Sequence, residues 1–300
     1  MSKNGAKLLL AGVIAARSTS LLFAKIGLGT ISPFNLLALR FCSAFIILAV
    51  IFHRNILRAS KTELKNGALL GCVYIIVMTA EMFALRATDS MKVSFLSNTA
   101  IVIVPVLEAI ITRRRPSGRT MLCLPLTLCG VACLTLKGGA AFGVGDILGL
   151  TEAFFYACAI ILTGKLSRQG DAFVTGIFQV GFIGLFALIA SCLFETPRFP
   201  QGATEWGVIL ALAVVCSCFG FTLQPVAQRS LPDDTAAQFC AINPLTTTIL
   251  GIIFLHEKPG VMGFVGAALI LGGILLQNIK IGDNSRNQSP AADTCSETKD

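Results

Sequence analysis

The sequence predicts an all-α polytopic membrane protein, with ten transmembrane helices arranged as two inverted five-helix repeats. Apolar residues make up 54% of the 300 and charged residues only 13%, whereas a typical soluble domain has about 25% charged residues. The apolar residues come in blocks of about twenty, the length at which a helix crosses a bilayer. A third observation, an internal repeat, predicts how these helices are arranged.

The repeat is clearest where residues 234–277 align with residues 91–134 after a shift of 143 positions. In this register Pro259 falls on Pro116. The same offset extends without a gap over nearly the whole chain, which indicates two copies of one unit.

We predict ten spans, and each must be a helix because lipid offers the backbone no hydrogen-bond partners. They are 7–27, 33–53, 66–86, 91–112, 118–137, 146–166, 172–194, 206–229, 235–256 and 260–279. Five spans per unit is an odd number, so the second unit enters the membrane from the opposite side and the repeats are inverted. The two units are residues 1–138 and 139–280, and the polar tail 281–300 is predicted to be disordered and cytoplasmic.

Lysine and arginine residues predict the orientation. The short loops carry fourteen of them on one side and six on the other, which by the positive-inside rule places both termini in the cytoplasm of a multi-pass protein of the cell membrane. The first span also has features of a signal peptide, with Lys3 and Lys7 before an apolar run. We expect it to be retained as a helix, because it aligns with the internal span 146–166.

Composition and motifs exclude several classes of function. The net charge of +8 lies in loops between spans, which indicates membrane orientation and no nucleic-acid partner. The eleven cysteines have no metal or disulfide spacing, so no metal and no cofactor are expected. An intramembrane enzyme is the main alternative to a transporter, but the chain has no HExxH, GxSxG or phosphate-binding loop. We therefore predict no catalytic residues, and a scaffold without transport activity is a further alternative.

Ionisable side chains inside apolar spans are costly, so each is expected to have a role. Arg17 and Glu81 are predicted to bind the carboxylate and ammonium groups of a substrate, and the alternative is an ion pair between them that only holds two helices together. Glu81 and Glu152 are candidates for proton coupling. Arg40 and Glu108 are predicted to form structural ion pairs, with Glu152 as the candidate partner of Arg40.

Uncharged polar residues add to the predicted substrate path. A proline inside a helix frees the carbonyl group four residues earlier, which directs attention to the polar residues near Pro105, Pro225 and Pro244; bends without a functional role are the alternative. The uncharged substrate-binding candidates are Tyr74, Asn98, Tyr156, Gln179, Gln224 and Asn243.

Glycines spaced four residues apart, as in Gly67 and Gly71 or Gly145 and Gly149, allow helices to approach closely. This contact lies either within one chain or at the seam of a homodimer, so a monomer and a homodimer both remain open. The other expected partners are a small-molecule substrate and the lipid bilayer.

Three motifs occur in a characteristic order: ISPFNLLALRF at 31–41, GDILGLTEAFFYA at 145–157, and LHEKP at 255–259 followed by VGAALILGG. Together they resemble the EamA type of the drug/metabolite transporter superfamily, over residues 7–279. The chain departs from the pattern where Arg114 matches Glu257 of the second unit, and where AARSTS at 15–20 replaces a frequent tryptophan-glycine pair. The resemblance implies a ten-helix carrier of small metabolites, often an exporter, and implies no particular substrate.

The prediction for function is a secondary transporter that exports small metabolites, such as amino acids or related amphipathic compounds, by alternating access. Uptake is the alternative direction, because neither the repeat nor the charges determine it.

Overall fold

The computed structural model describes residues 3–113, 143–231, 242–256 and 260–278, together with residues 125, 126, 129, 130, 133, 236, 239 and 240. Within these residues all regular secondary structure is helical. The helices of the first half are α1 (Lys3–Gly27), α2 (Pro33–Ile51), α3 (His53–Leu57), α4 (Lys61–Ala87), α5 (Ser90–Asn98) and α6 (Ala100–Ile111). Those of the second half are α7 (Val144–Leu166), α8 (Ala172–Phe194), α9 (Ala203–Ala211), a π-helical segment (Leu212–Phe221), α10 (Thr222–Gln228), α11 (Ile242–Phe254) and α12 (Val261–Asn278).

Among the described residues, seven helical stretches of 19 to 27 residues are long and apolar enough to cross a membrane. They are α1, α2, α4, α5 with α6, α7, α8, and the continuous stretch from α9 to α10. The predicted fifth span, 118–137, lies almost entirely outside the described residues, as do hinge residues 257–259 and the predicted tail 281–300. The helices α11 and α12 coincide with parts of the ninth and tenth predicted spans.

Local sequence explains where several helices begin. Ser60 caps α4 in a capping box, in which its hydroxyl accepts from the Glu63 amide and the Glu63 carboxylate accepts from the Ser60 amide at 2.7 Å. Asp171 caps α8 by accepting from the Phe173 amide at 2.8 Å. Pro33 starts α2, a position where its missing N–H has no cost.

Two of the predicted continuous spans contain irregularities. The fourth is divided at Thr99 into α5 and α6. The eighth contains the π-helical segment, which ends at Phe221, four residues before Pro225. Since proline has no N–H for the carbonyl of Phe221, the backbone there adopts wider turns, as helices often do near functional sites. In the ninth, α11 begins at Ile242, so Asn243 and Pro244 lie in its first turn rather than at mid-helix.

Glycines determine how closely the central helices approach. α4 packs on α7 and α8, α2 packs on α8, and α1 packs on α11 and the π segment. A Cβ atom on Gly67 would lie 2.4 Å from Cβ of Phe178, and one on Gly71 would lie 2.6 Å from Cβ of Phe182. These glycines therefore allow contact between two helices of the same chain, one of the two uses predicted for them.

Candidate functional site

A small cavity lies in the middle of the helix bundle. It has a volume of about 30 Å³, which is room for about one or two water molecules. Its walls come from α1, α2, α4, α5, α7, the π segment and α11. Four charged residues line it, Arg17, Arg40, Glu81 and Glu152. The concentration of charge in one buried place makes this cavity the candidate site.

Arg17, on α1, is held by groups on three other elements. Its Nη1 donates to Oε1 of Gln224 and, at 3.4 Å, to the hydroxyl of Tyr156. Its guanidinium carbon lies 4.3 Å from the ring centre of Phe221, a cation–π contact that strengthens away from water. Gly220 leaves space for this arrangement, because a Cβ atom there would lie 2.6 Å from Cγ of Arg17.

The contacts of Arg17 extend into a wider polar network. Nε2 of Gln224 donates to the Tyr74 hydroxyl at 3.1 Å. The Tyr156 hydroxyl lies 3.5 Å from Sγ of Cys240. Next to Arg17 on α1, the Ser18 hydroxyl donates to Oδ1 of Asn243 at 2.5 Å. The network joins α1 to α4, α7, α10 and α11, so a movement of α1 would disturb all of them.

The contacts of Arg40, on α2, differ from the predicted ion pair. Its Nε donates to the Ser217 hydroxyl at 2.8 Å and its Nη1 to the Ser20 hydroxyl at 2.9 Å. Among the described residues no carboxylate lies within salt-bridge distance of Arg40 or of Arg17. Hydroxyl groups on α1 and the π segment accept from two of the five N–H groups of Arg40, and Glu152 does not form a salt bridge with it.

The two carboxylates are placed differently from the arginines. Glu81 and Glu152 are both buried and line the cavity. Oε2 of Glu152 has no hydrogen-bond partner among the described residues. A buried carboxylate oxygen without a partner is costly, and it is free to receive a substrate N–H or a proton.

The other predicted residues fall into two groups. Tyr156 and Asn243 line the cavity. Gln224 is buried and contacts Arg17 directly, and Tyr74 is buried and contacts Gln224. Asn98, Gln179 and Glu108 lie away from the cavity lining. Asn98 donates to the Ser94 carbonyl at 2.7 Å, Gln179 is buried on α8, and Glu108 lies near the end of α6.

Sequence reasoning missed Phe221 and the serines that hold Arg40. Phe221 could have been found, because the offset of 143 places it on Met78, which is three residues before Glu81 and on the same helix face. Ser20 is three residues from Arg17, on the same helix face. The offset of 143 also places Ser217 on Tyr74, a predicted binding residue.

Polar contacts tie the helix ends together on both sides of the cavity. On the side that holds Lys25, here called the Lys25 face, its ammonium group donates to the carbonyls of Leu85 at 2.5 Å and Thr88 at 2.7 Å. On the same face the Glu195 carboxylate accepts from the amides of Phe34 at 3.1 Å and Asn35 at 2.8 Å.

An ion pair stands near these contacts. Arg198 donates to Glu205 at 2.8 Å and to the Thr30 carbonyl at 2.7 Å, and its hydrogen bond to the Glu205 carboxylate raises the pKa of Arg198 above its usual value.

The opposite side, here called the Glu63 face, has fewer charged contacts. Oε1 of Glu63 accepts from the Asp171 amide at 2.8 Å. Nδ2 of Asn66 donates to the carbonyls of Leu166 at 3.4 Å and Gln169 at 3.3 Å. Arg229 and Arg168 donate there as well, to the carbonyls of Gly170 at 3.2 Å and Leu231 at 3.5 Å.

The sequence profile of the EamA-like transporter family matches residues 4–136 and again residues 143–279. The chain belongs to this family. As a member of this family, the chain is a multi-pass membrane transporter, and the cavity lies inside its helix bundle. In the described residues no group of three or more potential metal-ligating side chains comes together.

Relatives of this EamA protein carry matching descriptions. An uncharacterized transporter of Archaeoglobus fulgidus is 27% identical over 283 residues, which cover 91% of this chain and 97% of the relative. The uncharacterized transporter YetK of Bacillus subtilis is 22% identical, over 92% of this chain and 87% of its own. A solved crystal structure with 20% identity has a TM-score of 0.67 and covers 92% of this chain and 96% of that chain; at this identity it shows a shared fold alone.

Proposed function

We propose that the protein is a secondary transporter that exports small amphipathic metabolites, such as amino acids or related compounds, across the cell membrane. Transport proceeds by alternating access between two inverted five-helix repeats, residues 1–138 and 139–280, with both termini and the tail 281–300 in the cytoplasm. The protein has no enzymatic activity and no cofactor, and it works as a monomer or homodimer in the bilayer.

Related positions in the two halves support the inverted repeats. The offset of 143 places Glu81 on Gln224 and Met78 on Phe221, and all four lie around Arg17 or the cavity. The packing is reciprocal as well, since α4 lies against α7 while the stretch from α9 to α10 lies against α1. A site at the interface of two such units is the usual arrangement in carriers.

The observation that carries the proposal is the placement of two arginines and two carboxylates around one buried cavity. Groups of opposite charge that are not paired with each other are suited to a substrate that has its own carboxylate and ammonium groups. Arg17 would receive the carboxylate, and Glu81 the ammonium group. Glu81 or Glu152 would exchange a proton for coupling. A cavity of about 30 Å³ is too small for such a substrate, so this conformation is the closed one between two open ones.

Flux into proteoliposomes tests the proposal. A thermal-shift screen of metabolites first identifies a ligand, because binding raises the unfolding temperature. We expect Arg17→Ala and Glu81→Gln to lower the apparent affinity for that ligand about tenfold or more, the effect of about one lost charged hydrogen bond. Arg17→Lys should keep part of the activity because it keeps the charge.

The matched control is Arg86→Ala, which removes an exposed arginine at the end of α4 and should leave flux unchanged. Unfolding temperatures of all variants separate lost binding from lost folding. Normal flux in folded Arg17→Ala and Glu81→Gln proteins would contradict the assignment of these residues to the substrate site. Transport that runs only from the extracellular side to the cytoplasmic side would show uptake and contradict the proposed export.

A further inference from the structure

A polar pocket and an apolar groove lie beside each other on the outside of the bundle. The pocket lies between α3, α4 and the start of α8, and the groove between α2, α4 and α8. The polar pocket has a volume of about 160 Å³ and includes Arg54, Arg58, Glu63 and Asp171 in its lining. The groove has a volume of about 540 Å³. Its lining is apolar and includes Phe45, Ile46, Phe178, Phe182, Leu185 and Leu188.

The pocket and the groove are continuous along two helices. On α4, Glu63 lines the pocket and its neighbour Leu64 lines the groove. On α8, Val174 lines the pocket and Phe178, one helical turn further, lines the groove. The pocket is therefore the polar end of the groove, at the Glu63 face of the bundle.

The pocket presents both signs of charge. Arg54 and Arg58 are exposed, and neither makes a polar contact with another described residue. The carboxylates of Glu63 and Asp171 each accept backbone N–H groups, which orients them. A carboxylate has about four acceptor positions, so both can still bind a further cation.

The groove lies on the part of the bundle surface that would contact the acyl chains of the bilayer. Ile46 is 62% exposed, Leu185 47% and Leu188 42%, although all three lie within helices long enough to span the membrane. Beside the pocket, Leu57 of the short helix α3 is 82% exposed, as expected where a helix meets the interface of a bilayer. Acyl chains are the apolar material available at this depth.

We propose that the pocket and groove together bind one phospholipid whose headgroup carries a phosphate and a primary ammonium group, as in phosphatidylethanolamine. Arg54 and Arg58 bind the phosphate, for which the guanidinium group is well suited. Glu63 and Asp171 bind the ammonium group, and one acyl chain lies in the groove. The charged pocket favours this lipid over a second copy of the chain, which would have to cover the same groove.

Native mass spectrometry in mild detergent tests the proposal with three lipids that share their acyl chains. Phosphatidylethanolamine has the phosphate and the primary ammonium group, phosphatidylcholine has no ammonium N–H, and phosphatidylglycerol has no cation. We expect one phosphatidylethanolamine per chain, bound about tenfold more tightly than either of the others, since each lost charged hydrogen bond is worth about that factor. Equal retention of the three lipids would overturn the proposal.

Variants distinguish the two ends of the site. The double variant Arg54→Gln, Arg58→Gln should weaken phosphatidylethanolamine binding about tenfold or more, while Arg86→Gln, at the other end of α4, should not. Asp171→Asn should reduce the preference over phosphatidylglycerol, and it keeps the cap of α8 because asparagine caps as well as aspartate. If the double variant does not fold, Asp171→Asn decides the question.

The groove has its own test. Leu185→Trp fills it and should lower lipid retention, whereas Leu210→Trp, at a position with similar exposure of 48% outside the groove, should not. An equal effect of both variants would contradict the assignment of the groove. A dimer that Leu185→Trp dissociates, with lipid retention unchanged, would show that a second copy occupies it and would overturn the proposal.

Discussion

Gly220 is the position where a single methyl group should disturb the candidate site most directly. In Gly220→Ala the new Cβ atom would lie 2.6 Å from Cγ and 3.2 Å from Cδ of Arg17. Ordinary contact begins near 3.4 Å, so the side chain of Arg17 or the π segment must move by about 0.8 Å. Arg17 is held at its far end by Gln224 and Phe221, and the movement must therefore weaken those contacts.

The expected magnitude has two parts. Overpacking of a filled interior costs about 1 to 3 kcal/mol. Replacing glycine by alanine in a helix returns about 1 kcal/mol, so the free energy of unfolding should fall by about 0 to 2 kcal/mol. Substrate binding should be weakened in addition, because displacement of a bound charge by about 1 Å severely impairs its interactions. We expect the apparent affinity for substrate to fall about tenfold, which corresponds to about 1.4 kcal/mol.

The assay combines thermal unfolding with substrate flux in proteoliposomes, and the same helical stretch supplies the control. Gly207 has no atom within 4 Å of its constructed Cβ position, so Gly207→Ala should be neutral or stabilising and should leave flux unchanged. Equal affinities in the two alanine variants would refute the reasoning that Gly220 positions Arg17.

Three further predictions concern packing, closure and coupling. Gly67→Ala places a Cβ atom 2.4 Å from Cβ of Phe178, which cannot rotate away, so the free energy of unfolding should fall by about 1 to 3 kcal/mol; Gly12→Ala, with nothing within 4 Å, is the control in thermal unfolding. Lys25→Met removes both bonds to the carbonyls at the end of α4, and hydrogen exchange should become faster there, whereas unchanged exchange would argue against a tie at this position. Glu152→Gln keeps the shape of the side chain but cannot carry a proton, so substrate exchange should continue while flux driven by a proton gradient disappears, and gradient-driven flux at the wild-type level would exclude coupling through Glu152.

The helices themselves could be predicted because their signals are local. Apolar blocks, Pro33 at the start of α2 and the polar turns between spans depend only on neighbouring residues. The division at Thr99 has no such local signal. Pro225 indicates where the π segment ends but does not indicate its length of 10 residues.

The candidate site could be predicted in part, for a reason that the residues make clear. A charge within an apolar span is conspicuous, and Arg17, Glu81 and Glu152 all line the cavity. For uncharged polar residues the rotation of the helix decides the outcome. Gln179 lies on α8, which is apolar on most faces, so periodicity does not indicate which side faces the cavity. On α5 the neighbouring Ser97 lines the cavity, and the rotation of about 100° between successive helical residues turns Asn98 away from it.

The two faces of the bundle differ in how strongly they are closed. At the Lys25 face, Lys25 and Glu195 each make two bonds from a charged group to the backbone, and such bonds are worth about 1.5 to 3 kcal/mol each. The bond from Arg198 to the Thr30 carbonyl is a fifth on this face. Among the described residues the Glu63 face has three, because Glu63 accepts from the Asp171 amide while Arg229 and Arg168 donate to the carbonyls of Gly170 and Leu231 at 3.2 and 3.5 Å. The bonds of Asn66 are uncharged and longer than 3.2 Å.

A difference of two charged bonds, about 3 to 6 kcal/mol, is comparable to the roughly 5.5 kcal/mol that reverses a conformational equilibrium from 1:99 to 99:1. The empty protein should therefore open at the Glu63 face in preference to the Lys25 face. The distribution of basic residues predicts that this face is cytoplasmic, which is the side from which an exporter would collect its substrate. A substrate that replaces the interactions of Arg17 would then provide the free energy needed to release the Lys25 face.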